Sequence, residues 1–225
     1  MSLEKALDNQ RQKLGDRLHW NTVSWSVITL LLDTQGIGYS VVWGEVLSKL
    51  SSISRLIDNL LDDEGVSAQE LIQEISEESQ IKELSLFIAT LPEEMKGEFI
   101  SKWKSAIKTM QISNDNPSIT NRELEWESLA LLYLSLLDQN TMNKNRWIFF
   151  FSLFKASYMF CDLKDIKEDA KSFREAIRII ERLFINAYRL IVSSQNRLKT
   201  IVNISLAIAR SIKSSSNLSK NWYNK

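Results

Sequence analysis

Six of the eleven aspartates in this chain fall in two short stretches. The first reads Arg55-Leu-Ile-Asp58-Asn-Leu-Leu-Asp62-Asp63-Glu64, and the second Cys161-Asp162-Leu-Lys164-Asp165-Ile-Lys-Glu168-Asp169. Each holds an Asp-x-x-x-Asp pair: Asp58 with Asp62, and Asp165 with Asp169. On a helix, positions i and i+4 share one face, about 6 Å apart along the axis. Two carboxylates so placed repel each other, so helix propensity gives no reason for the pair. A hard divalent cation does. Mg²⁺ takes oxygen ligands, keeps several waters, and is commonly held by one or two carboxylates together with substrate phosphates. The plain alternative is that acidic helix ends are solvated surface. Context sets the two apart, because both clusters lie near the C-terminal ends of long apolar stretches. Two such helices side by side would bring their carboxylates to one mouth of a bundle, and bundle cores host metal sites built from facing helices.

Basic residues stand beside both clusters. Lys164 and Arg174 flank the second, and Arg55 precedes Asp58 by three residues. All three are candidates to neutralise a diphosphate. For Arg55 the bland alternative is an i,i+3 ion pair with Asp58. The aromatics between Trp147 and Phe160 could line an apolar pocket, and ring faces stabilise cations. At helical spacing the expectation is that most of them are core. His19 is expected to be partly exposed, and Cys161 to be a small buried residue. No phosphate-binding Gly-rich loop or dinucleotide fingerprint is present.

Composition narrows what can carry these clusters. At 225 residues the chain suits one domain with a full core. Hydrophobic residues at 44% and charged residues at 25% are a globular balance. Six glycines and two prolines are too few for the frequent tight turns of sandwiches, barrels and doubly wound sheets. Twenty-eight basic residues balance 28 acidic ones, without the basic excess of a phosphate-gripping nucleic-acid binder. We therefore expect no nucleic-acid partner. A single cysteine excludes an internal disulfide and fits a reducing compartment. A single histidine argues against a His-rich zinc site or a Ser-His-Asp triad. The first residues lack the apolar core of a secretory signal. The longest apolar run, around Trp147–Phe160, is too short to span a bilayer. The expectation is a cytoplasmic protein without a transmembrane segment, with peripheral membrane contact through aromatic surface left open.

The spacing predicts helix almost throughout. An amphipathic stretch opens with Leu3, Ala6, Leu7, Gln10 and Leu14, and the glycines at 36 and 38 break it. A long helix over 40–63 follows from the period of Val42, Val46, Leu50, Ile53, Ile57 and Leu61. Gly65 ends it, and Ser67 with Glu70 reads as a capping box. Helices are predicted over 68–77, 80–90 and, from Pro92, to Met110. A polar loop is expected at 112–120, then helices at 121–137, 144–168, 170–194 and 196–214. With no linker or repeat, residues 1–225 read as one all-α domain whose tail, 214–225, is frayed.

Taken together, the acidic stretches resemble the motifs of the squalene/phytoene synthase family, of the class I isoprenoid synthase fold. The first family motif is like Arg-x-x-Asp-x-x-x-Asp, which Arg55, Asp58 and Asp62 match. The second is like Asn-x-x-Arg-Asp-x-x-x-Asp with an arginine five residues on. Lys164, Asp165 and Asp169 match its core, and Arg174 its trailing arginine. The chain departs from the family at Cys161, where the family has asparagine, and at Tyr158, near which it has glutamine. Glu127–Tyr133 stands in place of the family's Tyr-Cys-x-Tyr run, and Ser24-Trp25 is the nearest match to its Ser-Phe signature.

The resemblance implies a single-domain helical bundle of the class I isoprenoid synthase type. It implies a Mg²⁺-dependent prenyltransferase or terpene synthase acting on a prenyl diphosphate. Asp58, Asp62, Asp165 and Asp169 would hold the metal and carry catalysis, with Arg55, Lys164 and Arg174 on the diphosphate. The departures bear most on condensation of two prenyl diphosphates and least on simple ionisation of one. They also leave a second reading, a non-enzymatic relative that keeps the fold as an assembly or interaction protein. A third is a helical scaffold whose acidic clusters are only solvated ends.

Overall fold

The computed structural model describes residues 2–15, 34–35, 41–136, 143–164 and 173–206. Within these, residues 14–15, 41–48, 157–164 and 173–176 are described by their backbone alone. Every regular element among the described residues is a helix, as the composition and the 3.6-residue period lead one to expect. None of these helices is long and apolar enough to cross a membrane. In chain order they are α1 (Leu3–Gly15), α2 (Val41–Asp62), α3 (Ala68–Gln73), α4 (Lys82–Ala89), α5 (Glu93–Asp115), α6 (Ile119–Leu134), α7 (Lys144–Lys164) and α8 (Phe173–Ser193). A further helical stretch covers residues 197–206.

The local stops and starts have local causes. After α2 the backbone turns at Gly65 with φ 65°, a left-handed conformation that glycine adopts without a Cβ penalty. The Val66 N–H then closes onto the Leu60 carbonyl at 3.0 Å. Ser67 caps α3 by accepting from the Glu70 N–H at 3.2 Å. Pro92 sits at the N-cap of α5, with Glu93 and Glu94 in the first turn where the helix dipole favours them. The expected polar loop at 112–120 is shorter than its composition suggests. Helix α5 continues to Asp115, and α6 begins at Ile119 behind the capping hydroxyl of Ser118. Gln111 supports the extension by donating to Asp115 at 2.8 Å and accepting from the Ala68 N–H at 3.2 Å. Helix α3 conversely stops at Gln73, because Glu74 turns to hold Gln80.

One apolar core runs through the helices. Leu50, Ile53, Ile57 and Leu60 of α2 meet Phe99, Trp103 and Ile107 of α5 and Leu129 and Leu132 of α6, all nearly or fully buried. Phe87 and Trp103 each contact Phe99, with ring centroids 5.3 and 6.4 Å away. Phe149, Phe150 and Leu153 carry the core into α7, against which α8 packs along its length. Phe149, Phe150 and Phe154 are therefore core residues, the outcome expected for aromatics at helical spacing. Helix α1 is fastened to the outside of this core. Leu3, Ala6 and Leu7 bury its apolar stripe, and Arg11 grips Glu83 of α4 through two hydrogen bonds of 2.8 and 3.0 Å.

Candidate functional site

The last turns of α2 carry the first acidic motif on two faces. One face holds Arg55, Asp58 and Asp62. The Arg55 guanidinium donates to Asp58 Oδ2 at 2.9 Å. The Asp58 side chain is only 21% exposed, and burial pushes its carboxyl up to about 6. The Arg55 charge acts against that rise, while Asp62 and Asp63 add to it. Asp62 is raised as well, first by burial and then by Asp63, with Arg55 opposing. Asn114 of α5 stands close enough to Asp62 to oppose the rise too, yet its buried Nδ2 forms no hydrogen bond of ordinary length. Further up the same side of α2, Ser51 and Ser54 flank the Tyr133 hydroxyl of α6, which burial pushes up to about 12. A polar stripe thus runs along α2 where α5 and α6 approach it. Its lower end is acidic, with Asp58 largely buried and Asp62 at the surface.

The other face holds Asn59, Asp63 and Glu64, and it is fully engaged by α1. Asn59 donates to Gln10 Oε1 at 2.9 Å, and Gln10 Nε2 donates onward to Glu64 at 2.7 Å and Asp63 at 3.3 Å. Asn9 reaches Glu64 at 3.3 Å, and Lys13 reaches Glu64 at 3.2 Å and Asp63 at 3.5 Å. The Gln10 and Asn9 hydrogen bonds, ahead of Lys13, hold the Glu64 carboxyl below its ordinary range. The signal for this network lay in the apolar stripes themselves. Gln10 falls in register with Leu3, Ala6 and Leu7, so it had to be buried, and a buried amide needs partners.

The sequence-predicted site residues are therefore placed as follows. Arg55, Asp58 and Asp62 share one face, and Asp63 lies off it, as i,i+4 geometry requires. Lys164 is the last residue of α7, and Arg174 the second of α8. Asp165 and Asp169 lie outside the described residues, so the meeting of the two acidic pairs does too. The same holds for His19, for Ser24-Trp25 and for the side chains of Tyr158, Cys161 and Asp162. Among the described residues no group of three or more His, Cys, Asp or Glu side chains is gathered as for a metal ion.

A separate groove of about 570 Å³ lies between α6, α7 and α8, lined by Trp147, Phe151, Lys155, Tyr188 and Arg189 among others. Trp147 and Phe151 stack there with centroids 5.8 Å apart, and Lys155 pairs with Glu127 across it. Among the described residues, none from α2 lines this groove. The aromatics expected to be core or pocket thus divide, with Phe149, Phe150 and Phe154 inside and Trp147 and Phe151 on the groove.

No family model, curated protein or solved structure matches the chain.

Proposed function

We propose that this chain is a Mg²⁺-dependent class I enzyme of the isoprenoid synthase type, cytoplasmic, acting on a prenyl diphosphate. The observation that carries the reading is the Asp58–Asp62 face: two carboxylates one helical turn apart, both raised by burial, with a guanidinium within 2.9 Å. A largely buried carboxylate with an acidic neighbour one helical turn away favours a cation beside it. Their oxygen donors suit Mg²⁺, which needs few protein ligands when phosphates and waters complete its shell. When bound, the metal would supply charge stabilisation to a departing diphosphate. The chain's own part would be to fix Asp58 and Asp62 on a rigid helix and to present Arg55 to a phosphate oxygen. Asp165 and Asp169 would complete the metal site, with Lys164 and Arg174 on the diphosphate.

A second reading is a non-enzymatic relative serving in assembly or interaction. The Arg55–Asp58 ion pair favours it, because an arginine neutralised by its own helix has less to offer a phosphate. Thermal unfolding with Mg²⁺ and pyrophosphate separates the two. Anything bound only to the native state raises its melting temperature by mass action. The enzyme reading expects a rise with both ligands, a smaller one with Mg²⁺ alone, and release of diphosphate from prenyl diphosphates. An unchanged melting temperature at saturating Mg²⁺ and pyrophosphate, with no diphosphate release, would leave the interaction reading in place.

A further inference from the structure

Residues 177–206 combine two properties on one surface. Of the 14 large hydrophobic residues exposed among the described residues, ten lie in this segment. On α8, Ile177, Ile180, Phe184 and Tyr188 fall at i, i+3, i+7 and i+11, so they form one stripe. Phe184 is 71% exposed and Tyr188 68%. The opposite side of the helix is the buried one, carrying Ile179, Asn186 and Leu190 against α7. The helix therefore has an apolar face inward and a second apolar face outward. Leu198, in the helical stretch that follows, is 73% exposed.

The second property is charge. The segment carries five basic residues (Arg178, Arg182, Arg189, Arg197 and Lys199) against one acidic residue, Glu181, in a chain whose formal net charge is zero. Arg178, Arg182 and Arg189 share one flank of α8, between the outward apolar face and the buried side, by their spacing of four and seven residues, and Arg182 is held there by Glu123 of α6 at 3.7 Å. An exposed apolar stripe bordered by arginines on one helix is the pattern that lies in a lipid interface, with rings below the headgroups and guanidinium groups among the phosphates. A second copy of the chain fits less well. Antiparallel packing of two α8 stripes would set the two arginine flanks against each other, with Glu181 and the Glu123 partner of Arg182 too few to relieve them.

We propose that the outer face of α8, extended by residues 197–206, docks the protein peripherally on an anionic membrane surface. Tyr188 and Arg189 also line the groove against α7, so docking would place the mouth of that groove at the headgroup level.

Co-sedimentation of the whole chain with vesicles tests this. Vesicles of phosphatidylcholine containing one third phosphatidylglycerol should bind the protein, pure phosphatidylcholine far less, and added NaCl should weaken the binding. The double substitution Phe184→Ser with Tyr188→Ser should lower vesicle affinity at least about tenfold, since each ring loses its apolar burial in the bilayer. Arg178→Gln with Arg189→Gln should lower affinity for the anionic vesicles about fivefold per arginine. Both pairs are exposed, so circular dichroism and the melting temperature should be unchanged. Absence of binding to anionic vesicles at low salt would overturn the proposal, as would equal binding to neutral ones. So would a dimer in sedimentation velocity that dissociates in the Phe184→Ser, Tyr188→Ser variant without any vesicle binding by the parent, because the face would then belong to a second copy.

Discussion

Two faces of one helix end carry the same kind of residue and treat it oppositely. On the face toward α1, Glu64 accepts hydrogen bonds from Gln10, Asn9 and Lys13, and its carboxyl is lowered. On the face toward α5, burial dominates and the Asp58 carboxyl rises to about 6, although Arg55 is in contact with it. The difference is the number of donors. A carboxylate given amide and ammonium partners is stabilised as an anion, and one given mostly apolar surroundings and two acidic neighbours is not. The first arrangement fastens α1 to α2. The second leaves its carboxyls short of donors, and the proposed chemistry is therefore assigned to Asp58 and Asp62 and withheld from Asp63 and Glu64.

The largest effect that the proposed function leads one to expect lies on the Asp58–Asp62 face. Asp58→Ala should lower diphosphate release about a hundredfold or more, because a lost ligand removes charge stabilisation from the transition state. Asp63→Ala should change turnover only slightly. Steady-state assays of the two variants check this, and equal losses would erase the distinction between the faces.

Next comes a pH dependence with a definite sign. Asp58 titrates near the usual 3.9 in the unfolded chain and near 6 in the native one, so the native state binds the proton more tightly. Its contribution to stability is therefore full below pH 4 and is lost as pH rises to about 6. At 1.36 kcal/mol per unit this is at most about 3 kcal/mol. The lowered carboxyls, such as Glu83 paired with Arg11, act in the opposite direction over the acid range. The parent and Asp58→Asn should consequently diverge between pH 4 and 6, with the variant free of the Asp58 decline. Urea unfolding at several pH values measures the difference. Parallel curves would mean that Arg55 fully neutralises Asp58.

On the α1 face the test is an uncharged residue. Gln10→Ala leaves the buried Asn59 amide and the Glu64 carboxylate each short of a partner. The expected loss is about 1–3 kcal/mol, seen as a lower urea midpoint at unchanged slope. Diphosphate release by the folded variant should stay near the parent's.

How much of this was legible in the sequence depends on distance along the chain. The shared face of Arg55, Asp58 and Asp62 follows from three- and four-residue spacings, and so do the Ser67 cap and the Gly65 stop. Gln10 and Asn59 were visible as polar residues on apolar faces, but their pairing joins positions 49 residues apart, and helical period says nothing about which stripes meet. Helix α5 outruns its local sequence signal for a related reason. Asn114, Asp115 and Asn116 read as a turn by local preference, and contacts from Gln111 carry the helix through Asp115. The outward face of α8 was the least legible feature. Its sequence has apolar residues on nearly all sides except the arginine flank, and only packing against α7 decides which of them face out.

The smallest expected effect completes the comparison. Lys13 contacts both Glu64 and Asp63, but its side chain is 46% exposed and its contacts are at 3.2 and 3.5 Å. In Lys13→Ala, water replaces the ammonium, and Glu64 keeps the amides of Gln10 and Asn9. Exposed ion pairs contribute little once side-chain entropy and salt screening are counted. The melting temperature of Lys13→Ala should match the parent's at physiological salt and separate from it only slightly at low salt. The Lys13 ammonium is raised by Glu64, so whatever it contributes is present below about pH 10.4, the free-lysine value, and is lost as pH rises through its native value. A loss as large as that of Gln10→Ala would show that charge, and not buried amide pairing, holds α1 in place. The contrast between the two faces would then reduce to the position of one lysine.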